Sequence, residues 1–229
     1  MKAILLAGGY GKRLGAITDR IPKPLAEVKG KPVIEYLINK LIKLRIEHVY
    51  INTHYKHKQI YDFIGGSNFK IPISLSHENK LLGTAGTLKN LVDKVAQDNF
   101  LVMHADNYFS DNLELLKQKH LESGPNILAT MGTFDVMDPS RFGTVDVSED
   151  NRVINFFEKS KESTSRIANS AIYIMKPEAQ DVIKSLSPNE NDISLHLVPK
   201  LLGQICAVPL SGYFFDIGTP EDLNLANNS

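Results

Sequence analysis

Three things are scarce in this chain, and each scarcity closes off a class of function. There is a single cysteine, Cys206, so an internal disulfide and a multi-cysteine zinc site are excluded and a reducing compartment is expected. Cys206 stands in the apolar run Ile205-Cys206-Ala207-Val208 and is expected to be a small buried hydrophobe. Net charge is absent: 26 Lys and Arg balance 26 Asp and Glu, which argues against a general attraction to nucleic acid or an anionic membrane. Long apolar runs are missing too. Lys2 precedes a short one, but Gly8-Gly9 cuts it after about five residues, below the roughly 7–15 of a secretory signal. Nothing approaches the ~20 residues of a membrane span, so a soluble, cytoplasmic protein is expected.

What is present is enough for a core. Hydrophobic residues make up 42% of 229, which suits one large α/β domain over 1–229, and no repeat, low-complexity tract or linker divides it. In the first half, strand-like and helix-like segments alternate. Lys2–Ala7, His48–Asn52, Ile71–Leu75 and Phe100–Ala105 read as strands. Val33–Leu44, Lys56–Ile64 and Gly86–Val95 read as helices; in the first of these, Val33, Ile34, Leu37, Ile38, Leu41 and Ile42 recur at helical spacing behind Pro32. The alternation predicts a mostly parallel sheet with helices on both faces, whose ligands gather beyond the carboxyl ends of the strands. Beyond residue 125, strands crowd together at Ile127–Thr133, Gly143–Val147, Val153–Phe157 and Ser170–Ile174, with helices at Pro177–Leu186, Ser194–Leu202 and Thr219–Ala226. That portion is smaller and α+β in character.

The first strand breaks into Gly8-Gly9-Tyr10-Gly11-Lys12-Arg13-Leu14, and Pro22-Lys23-Pro24-Leu25 follows. Glycines let backbone N–H groups approach anionic oxygens, and Lys12 and Arg13 add charge, so the turn suits a polyphosphate. Lys23, on a rigid Pro-flanked segment, suits a second phosphate. Two common owners of such turns fail on spacing. A dinucleotide motif needs a glycine one residue before Gly15, and a P-loop needs glycine at Leu6 and Ser or Thr at Arg13. The seven histidines form no H-E-x-x-H pattern, and His54-x-x-His57 reads as a helix start rather than a ligand pair.

In order along the chain, Gly8-Gly9-x-Gly11-x-Arg13-Leu14, Pro22-Lys23-Pro24-Leu25 and Gly30-Lys31-Pro32 are followed by Leu82-Gly83-Thr84-Ala85-Gly86 and His104-Ala105-Asp106. Then come Arg141-Phe142-Gly143-Thr144-Val145, Phe157-Glu158-Lys159, Asn169-Ser170-Ala171-Ile172-Tyr173 and Asp216-Ile217-Gly218-Thr219-Pro220. This ordered set resembles the sugar-1-phosphate nucleotidyltransferases, in a short form similar to mannose- and heptose-1-phosphate guanylyltransferases and glucose-1-phosphate thymidylyltransferases. The resemblance implies a Rossmann-like, three-layer (GT-A-like) α/β fold and a role in nucleotide-sugar supply for cell-surface polysaccharides. It implies catalytic roles for Arg13, Lys23 and Asp106, and nucleotide contacts from Leu6, Ala7, Gly8, Gly9, Gly11, Lys12, Arg13, Glu78, Gly83 and Thr84. Lys23, Gly143, Glu158, Lys159 and Asn169 would hold the sugar phosphate. Asp106 and Asp216 would bind Mg²⁺, a hard cation that takes carboxylate and phosphate oxygens. The implied partners are a nucleoside triphosphate and a sugar 1-phosphate, with room for a homo-oligomer. The sequence stops soon after Asp216, so the β-helical extension of many relatives is not expected.

The chemistry fits this residue set. A sugar-1-phosphate oxygen is already anionic near neutral pH, so its attack on an α-phosphate needs alignment and charge neutralisation rather than a general base. Glu78 bears on the base: a carboxylate accepts two hydrogen bonds, and guanine offers N1–H and N2–H₂ side by side, where thymine and uracil offer one N–H. GTP with a mannose-like or heptose 1-phosphate is therefore the leading expectation, with thymidylyl or uridylyl transfer to a glucose-type phosphate behind it. A non-catalytic NDP-sugar-binding regulator would be favoured by loss of Arg13, Lys23 or an aspartate, and all are present. A glycosyltransferase would want Asp-x-Asp, which Asp106-Asn107-Tyr108 does not supply. Ala105 and Ala171 stand where the family often has glycine, and Phe214-Phe215 where a tryptophan is common, so the sugar's identity is the less determined part.

Overall fold

The computed structural model describes residues 1–160 and 163–229. The chain begins with β1 (Lys2–Leu6), β2 (Glu27–Val28), β3 (Lys31–Pro32), α1 (Val33–Lys43), β4 (Val49–Thr53), α2 (His57–Gly66) and β5 (Ile73–His77). It continues through α3 (Thr84–Val95), β6 (Phe100–His104), β7 (Asn107–Phe109), α4 (Glu114–Glu122), β8 (Ala129–Asp135), β9 (Gly143–Val147) and β10 (Val153–Glu158). The remainder is β11 (Ile167–Met175), α5 (Ala179–Ser185), α6 (Val198–Lys200), β12 (Ile205–Pro209), β13 (Phe214–Asp216) and α7 (Pro220–Asn227). The fold is α/β, with a mostly parallel central sheet and flanking helices. Two compact units make it up. The first comprises Met1–Leu81, Met103–Asn112 and Gly212–Ser229; the second comprises Leu82–Val102 and Leu113–Ser211.

In the first unit β1 pairs in parallel with β4, and β4 with β5, in a register that aligns Leu5 with Ile51 and Ile51 with Leu75. Ala3, Ile4 and Leu5 are all fully buried, which explains why β1 reads as an unbroken apolar run rather than an alternation. Ala105 N–H donates to Leu6 O at 3.0 Å, so the end of β6 lies beside the end of β1. Helix α1 buries Val33, Ile34, Leu37, Ile38 and Leu41, carries Glu35 in its first turn and Lys40 and Lys43 in its last, and so agrees with its dipole. The ribbon of β7 and β13 is not legible from its sequence, because three-residue strands carry no measurable period. Its antiparallel register sets Asp216 opposite Asn107. Asp216 is thus the end of a strand.

In the second unit β8 pairs antiparallel with β11 and parallel with β12, while β9 pairs antiparallel with β10 and β11. The expected crowding of strands is present there. Two expectations need correction, and one helix lies outside them. The run around Cys206 is strand β12, and Cys206 is half-buried rather than buried, at the wall of a cavity of about 280 Å³ shared with Lys119, Glu122 and Arg152. Helix α4 has no counterpart in the sequence reading because only Leu116 and His120 of it are buried, too few to make an apolar stripe. The helix expected at Ser194–Leu202 is a π-turn over Ile193–Leu197 followed by the short α6, which contains Pro199. A proline without an N–H cannot continue a regular ladder.

Candidate active site

The first unit's site is built at the ends of its parallel strands. Ala7 and Gly8 are buried where β1 runs out, and Gly9 and Tyr10 emerge into solvent. Gly11 has φ 65°, and a Cβ on it would sit 2.9 Å from Thr18 Cγ2 and 3.0 Å from Lys23 Cβ. Only glycine combines that left-handed backbone with the close approach of Lys23. Thr18 Oγ1 donates to Gly11 O at 3.0 Å, and the short turn over Lys12–Ile17 leaves Lys12 and Arg13 exposed. The cations expected on phosphate are therefore displayed outward, with Lys12 Nζ 5.5 Å from the Tyr10 ring centre.

Lys23 behaves differently. Its side chain is 10% exposed, held in the Lys23–Leu25 turn between Pro22 and Pro24, and not solvated as a loop lysine would be. Its Nζ hydrogen-bonds to Asp106 Oδ2 and reaches Asp216 Oδ1 at 3.3 Å. Arg13 Nη2 lies 3.9 Å from the other oxygen of Asp216. Ile217 N–H donates to Asp106 O at 3.1 Å, which together with the β7–β13 ribbon brings the two aspartates to one place. Burial alone would push the Asp106 carboxyl up; the charge of Lys23, then that of His104, and the hydrogen bond from Lys23 hold it below its usual value. Burial would likewise pull the Lys23 ammonium down, but Asp106 and Asp216 together hold it above its usual value.

The surroundings of Glu78 are more enclosed than the sequence suggests. Glu78 is 4% exposed, not a surface residue of a loop, and Asn52 Nδ2 donates to its Oε1 at 3.0 Å. Asn52 Oδ1 accepts from Ala7 N–H at 2.7 Å. His54 is bonded through both ring nitrogens, to Glu78 O at 2.7 Å and to Tyr10 Oη at 3.0 Å, so it is not half of a metal pair with His57. Sequence reasoning passes over Asn52 and His54 as the partners that join Glu78 to the glycine turn. Their position at the end of the second parallel strand is the available signal, since ligands collect there.

The remaining expected residues belong to the second unit. Gly83 precedes α3 with φ 78°, and a Cβ on it would meet Asn191 O at 2.3 Å. Thr84 Oγ1 donates to Asp192 Oδ2 at 3.3 Å and accepts from Ile193 N–H at 2.8 Å. Gly143 and Glu158 are cross-strand partners, and Lys159 Nζ lies 3.6 Å from Glu158 Oε1. Asn169 Nδ2 donates to Tyr173 Oη at 2.6 Å, while its Oδ1 accepts from Ala171 N–H at 2.9 Å. Arg13, Lys23, Asp106 and Asp216 are thus brought together in one unit, and Gly143, Glu158, Lys159 and Asn169 lie in the other.

A glycine turn beside a buried lysine that bridges two aspartates is the arrangement on which a family assignment turns, and residues 2–229 match the Nucleotidyl transferase family throughout. The chain belongs to that family. It is 31% identical over 99% of its length to the D-glycero-alpha-D-manno-heptose 1-phosphate guanylyltransferase of Aneurinibacillus thermoaerophilus, covering 96% of that protein. It is 35% identical to the bifunctional protein GlmU of Methanococcus maripaludis, and there the chain spans 54% of the relative's length. A crystal structure described as a putative glucose-1-phosphate thymidylyltransferase from Bacillus anthracis, in complex with a sucrose, superposes with TM-score 0.89 at 30% identity, covering 100% of this chain and 94% of that one. HddC from Yersinia pseudotuberculosis complexed with GMP-PN gives TM-score 0.81 at 29% identity, over 99% and 98% of the two chains. Nucleotidyl transferases generally depend on a metal ion. The first unit fits one: Asp106 Oδ1 is buried with no hydrogen-bond partner among the described residues, and two carboxylates form a hard donor set. Among the described residues no group of three or more His, Cys, Asp or Glu could hold a metal, so phosphate oxygens would have to complete the shell. No described helix is long and apolar enough to cross a membrane.

Proposed function

We propose that this chain transfers a nucleoside monophosphate from a nucleoside triphosphate to a sugar 1-phosphate, with GTP and a mannose-like or heptose 1-phosphate as the substrates. The observation that carries the reading is the Lys23–Asp106–Asp216 cluster, in which a buried lysine meets two half-buried carboxylates beside a glycine turn that displays Arg13 and Lys12. In the transfer, an oxygen of the sugar phosphate attacks the α-phosphorus. The α–β bridging bond breaks, and its electron pair leaves with pyrophosphate. Backbone amides from Gly8 to Gly11, with Lys12 and Arg13, hold the triphosphate, and Arg13 meets the charge that grows on the leaving group. Lys23 aligns the incoming sugar phosphate with the α-phosphate. Its rigid Pro-flanked seat suits a task that rests on positioning. Asp106 and Asp216 are the residues that would hold Mg²⁺, which supplies neutralisation of phosphate charge when bound. Gly143, Glu158, Lys159 and Asn169 form the sugar side, so that 1–229 acts as one nucleotidyltransferase domain.

The base assignment is supported by Glu78, whose carboxylate matches the paired donors of guanine, and by the guanylyltransferase names of relatives that this chain resembles over 97% or more of its length. The likeness to a structure named as a thymidylyltransferase keeps dTTP and UTP as the second reading. A cytoplasmic setting accords with the lone cysteine. Pyrophosphate release, measured for the four common triphosphates and dTTP against a panel of sugar 1-phosphates, tests all of this. Turnover is expected with GTP and a manno-configured 1-phosphate. Binding of an NDP-sugar with no turnover for any pair would overturn the transferase reading.

A further inference from the structure

Asn52 is 3% exposed, and its amide has two chemically different ends. The oxygen accepts the Ala7 N–H at 2.7 Å, so the NH₂ end must face Glu78, whose Oε1 it meets at 3.0 Å. A flipped amide would set oxygen against carboxylate and NH₂ against N–H, so the network allows one orientation. The approach is close enough that a Cβ on Gly8 would lie 2.7 Å from Asn52 Nδ2. A second tether runs in parallel. A backbone carbonyl only accepts, so His54 Nδ1 donates to Glu78 O, and its other nitrogen is left to receive the Tyr10 hydroxyl at 3.0 Å. Both tethers start on the phosphate turn, at Ala7 and at Tyr10, and both finish on Glu78.

We infer that Asn52 is a specificity-determining positioning residue: it fixes the Glu78 carboxylate as an acceptor toward the nucleobase, and with the Tyr10–His54 tether it couples base choice to the set of the phosphate turn. The inference rests on the nucleotidyl-transfer reading for its ligand, not for its geometry. A base offering adjacent N–H donors satisfies a carboxylate held this way. A base with a single N–H flanked by carbonyls leaves one oxygen facing another acceptor, the kind of mismatch by which a polar site rejects an analogue.

The test compares wild type with Asn52→Asp, Tyr10→Phe and the double variant Asn52→Asp with Glu78→Gln, reading kcat and KM for GTP, UTP and dTTP and the Kd of each by calorimetry. Asn52→Asp keeps an acceptor for Ala7 N–H but turns a second carboxylate oxygen toward Glu78. It is expected to raise the KM and Kd for GTP about tenfold and to lower GTP-over-UTP selectivity by about the same factor, with kcat at saturating GTP within about threefold. In the double variant an amide at position 78 donates where the Glu78 carboxylate accepted. The tether is restored with reversed polarity, and preference moves to UTP or dTTP. Tyr10→Phe removes one exposed hydroxyl, folds as wild type, and lowers the selectivity about threefold, which keeps the test open if Asn52→Asp does not fold. Selectivity within twofold of wild type in every folded variant, whatever happens to thermal stability, overturns the inference. If wild type turns over no substrate pair, the transferase reading fails, and the role of Asn52 is still decided by the ratio of GTP to UTP Kd values. If wild type prefers another base, guanine is wrong, and the same variants must shift that other preference.

Discussion

Each unit of this protein carries a lysine against a carboxylate, and the two pairs are built on opposite principles. Lys23 and Asp106 have side chains 10% and 22% exposed and hold one another in their charged forms. Lys159 and Glu158 are 54% and 27% exposed, 3.6 Å apart, at the end of a strand. Removing charge from water costs several kcal/mol per ion, so a buried pair persists only with well-placed partners, whereas an exposed pair contributes about 0–1 kcal/mol. The difference teaches where this protein fixes a charge inside and where it leaves one in water. In the first unit two carboxylates hold Lys23 in place, while Lys12 and Arg13 stay exposed. In the second, Lys159 and Glu158 keep much of their contact with water.

The largest effect should come from undoing the buried pair. Lys23→Met is expected to lower kcat/KM for nucleotidyl transfer by about 10³-fold or more, or ~4 kcal/mol of transition-state stabilisation. It should also destabilise the fold by about 3–5 kcal/mol, because Asp106 keeps a buried charge without its partner. Pyrophosphate release and thermal melting check the two parts. Activity within tenfold of wild type would erase the contrast between the units.

The second unit holds a buried histidine, His120, and it sharpens the comparison. The residue is 1% exposed, Nδ1 meets Thr130 Oγ1 at 2.9 Å, and Nε2 is buried without a hydrogen-bond partner among the described residues. Burial, with a smaller effect from Lys176, pulls its pKa down to about 4, from 6.5. The unfolded chain therefore takes up the proton first as pH falls. Stability contributed by the neutral ring is complete above about 6.5 and is lost progressively toward pH 4, by ~3 kcal/mol in all. Chemical denaturation at pH 7, 5.5 and 4.5 should show this loss, and His120→Gln should flatten it. An unchanged slope in the variant would point to another group.

The exposed pair should respond weakly in stability and visibly in function. Lys159→Ala is expected to raise KM for the sugar 1-phosphate about tenfold, while unfolding free energy changes by no more than about 0.5 kcal/mol. A large loss of stability would mean that the second unit depends on this pair as the first depends on Lys23. The smallest change is Ala171→Gly. Ala171 has φ 54° inside β11, where the β11–β8 register shifts. A side chain in that region is strained, so glycine should stabilise the protein by up to about 1 kcal/mol, less the entropy that glycine adds to the unfolded chain. A melting temperature below wild type would contradict it.

The same contrast marks what can be read from sequence. Strand β1, helix α1 and the glycine turn are legible because burial on both faces, helical spacing and left-handed backbone each leave a residue-level trace. Lys23 is legible as a cation on a Pro-flanked segment, but not as a buried one, since nothing in Pro22-Lys23-Pro24 shows that two aspartates lie 83 and 193 positions away. The β7–β13 ribbon is invisible for the same reason: its pairing is long-range and its strands are too short for a pattern. Helix α4 hides because two of its three leucines, Leu115 and Leu121, face solvent, so its apolar residues make no stripe. Asn52 looks like an ordinary strand-end residue until its two amide ends are found in use. Ala171 is a similar case. It reads as an ordinary strand residue, and the φ of 54° that would favour glycine is seen only in the backbone.

Asp216 and Lys23 are separated by 193 residues, and Gly212–Ser229 belongs to the unit that begins at Met1. Closing an unstructured loop of that length would cost about 5 kcal/mol of chain entropy, and the strands that pair between the two residues lower that cost before β13 arrives. During synthesis, Lys23 and Asp106 leave the ribosome long before Asp216 does. A nascent chain stalled short of Gly212 has the nucleotide turn but only one of its two acidic partners. The meeting of Lys23 with both carboxylates thus waits on the synthesis of β13.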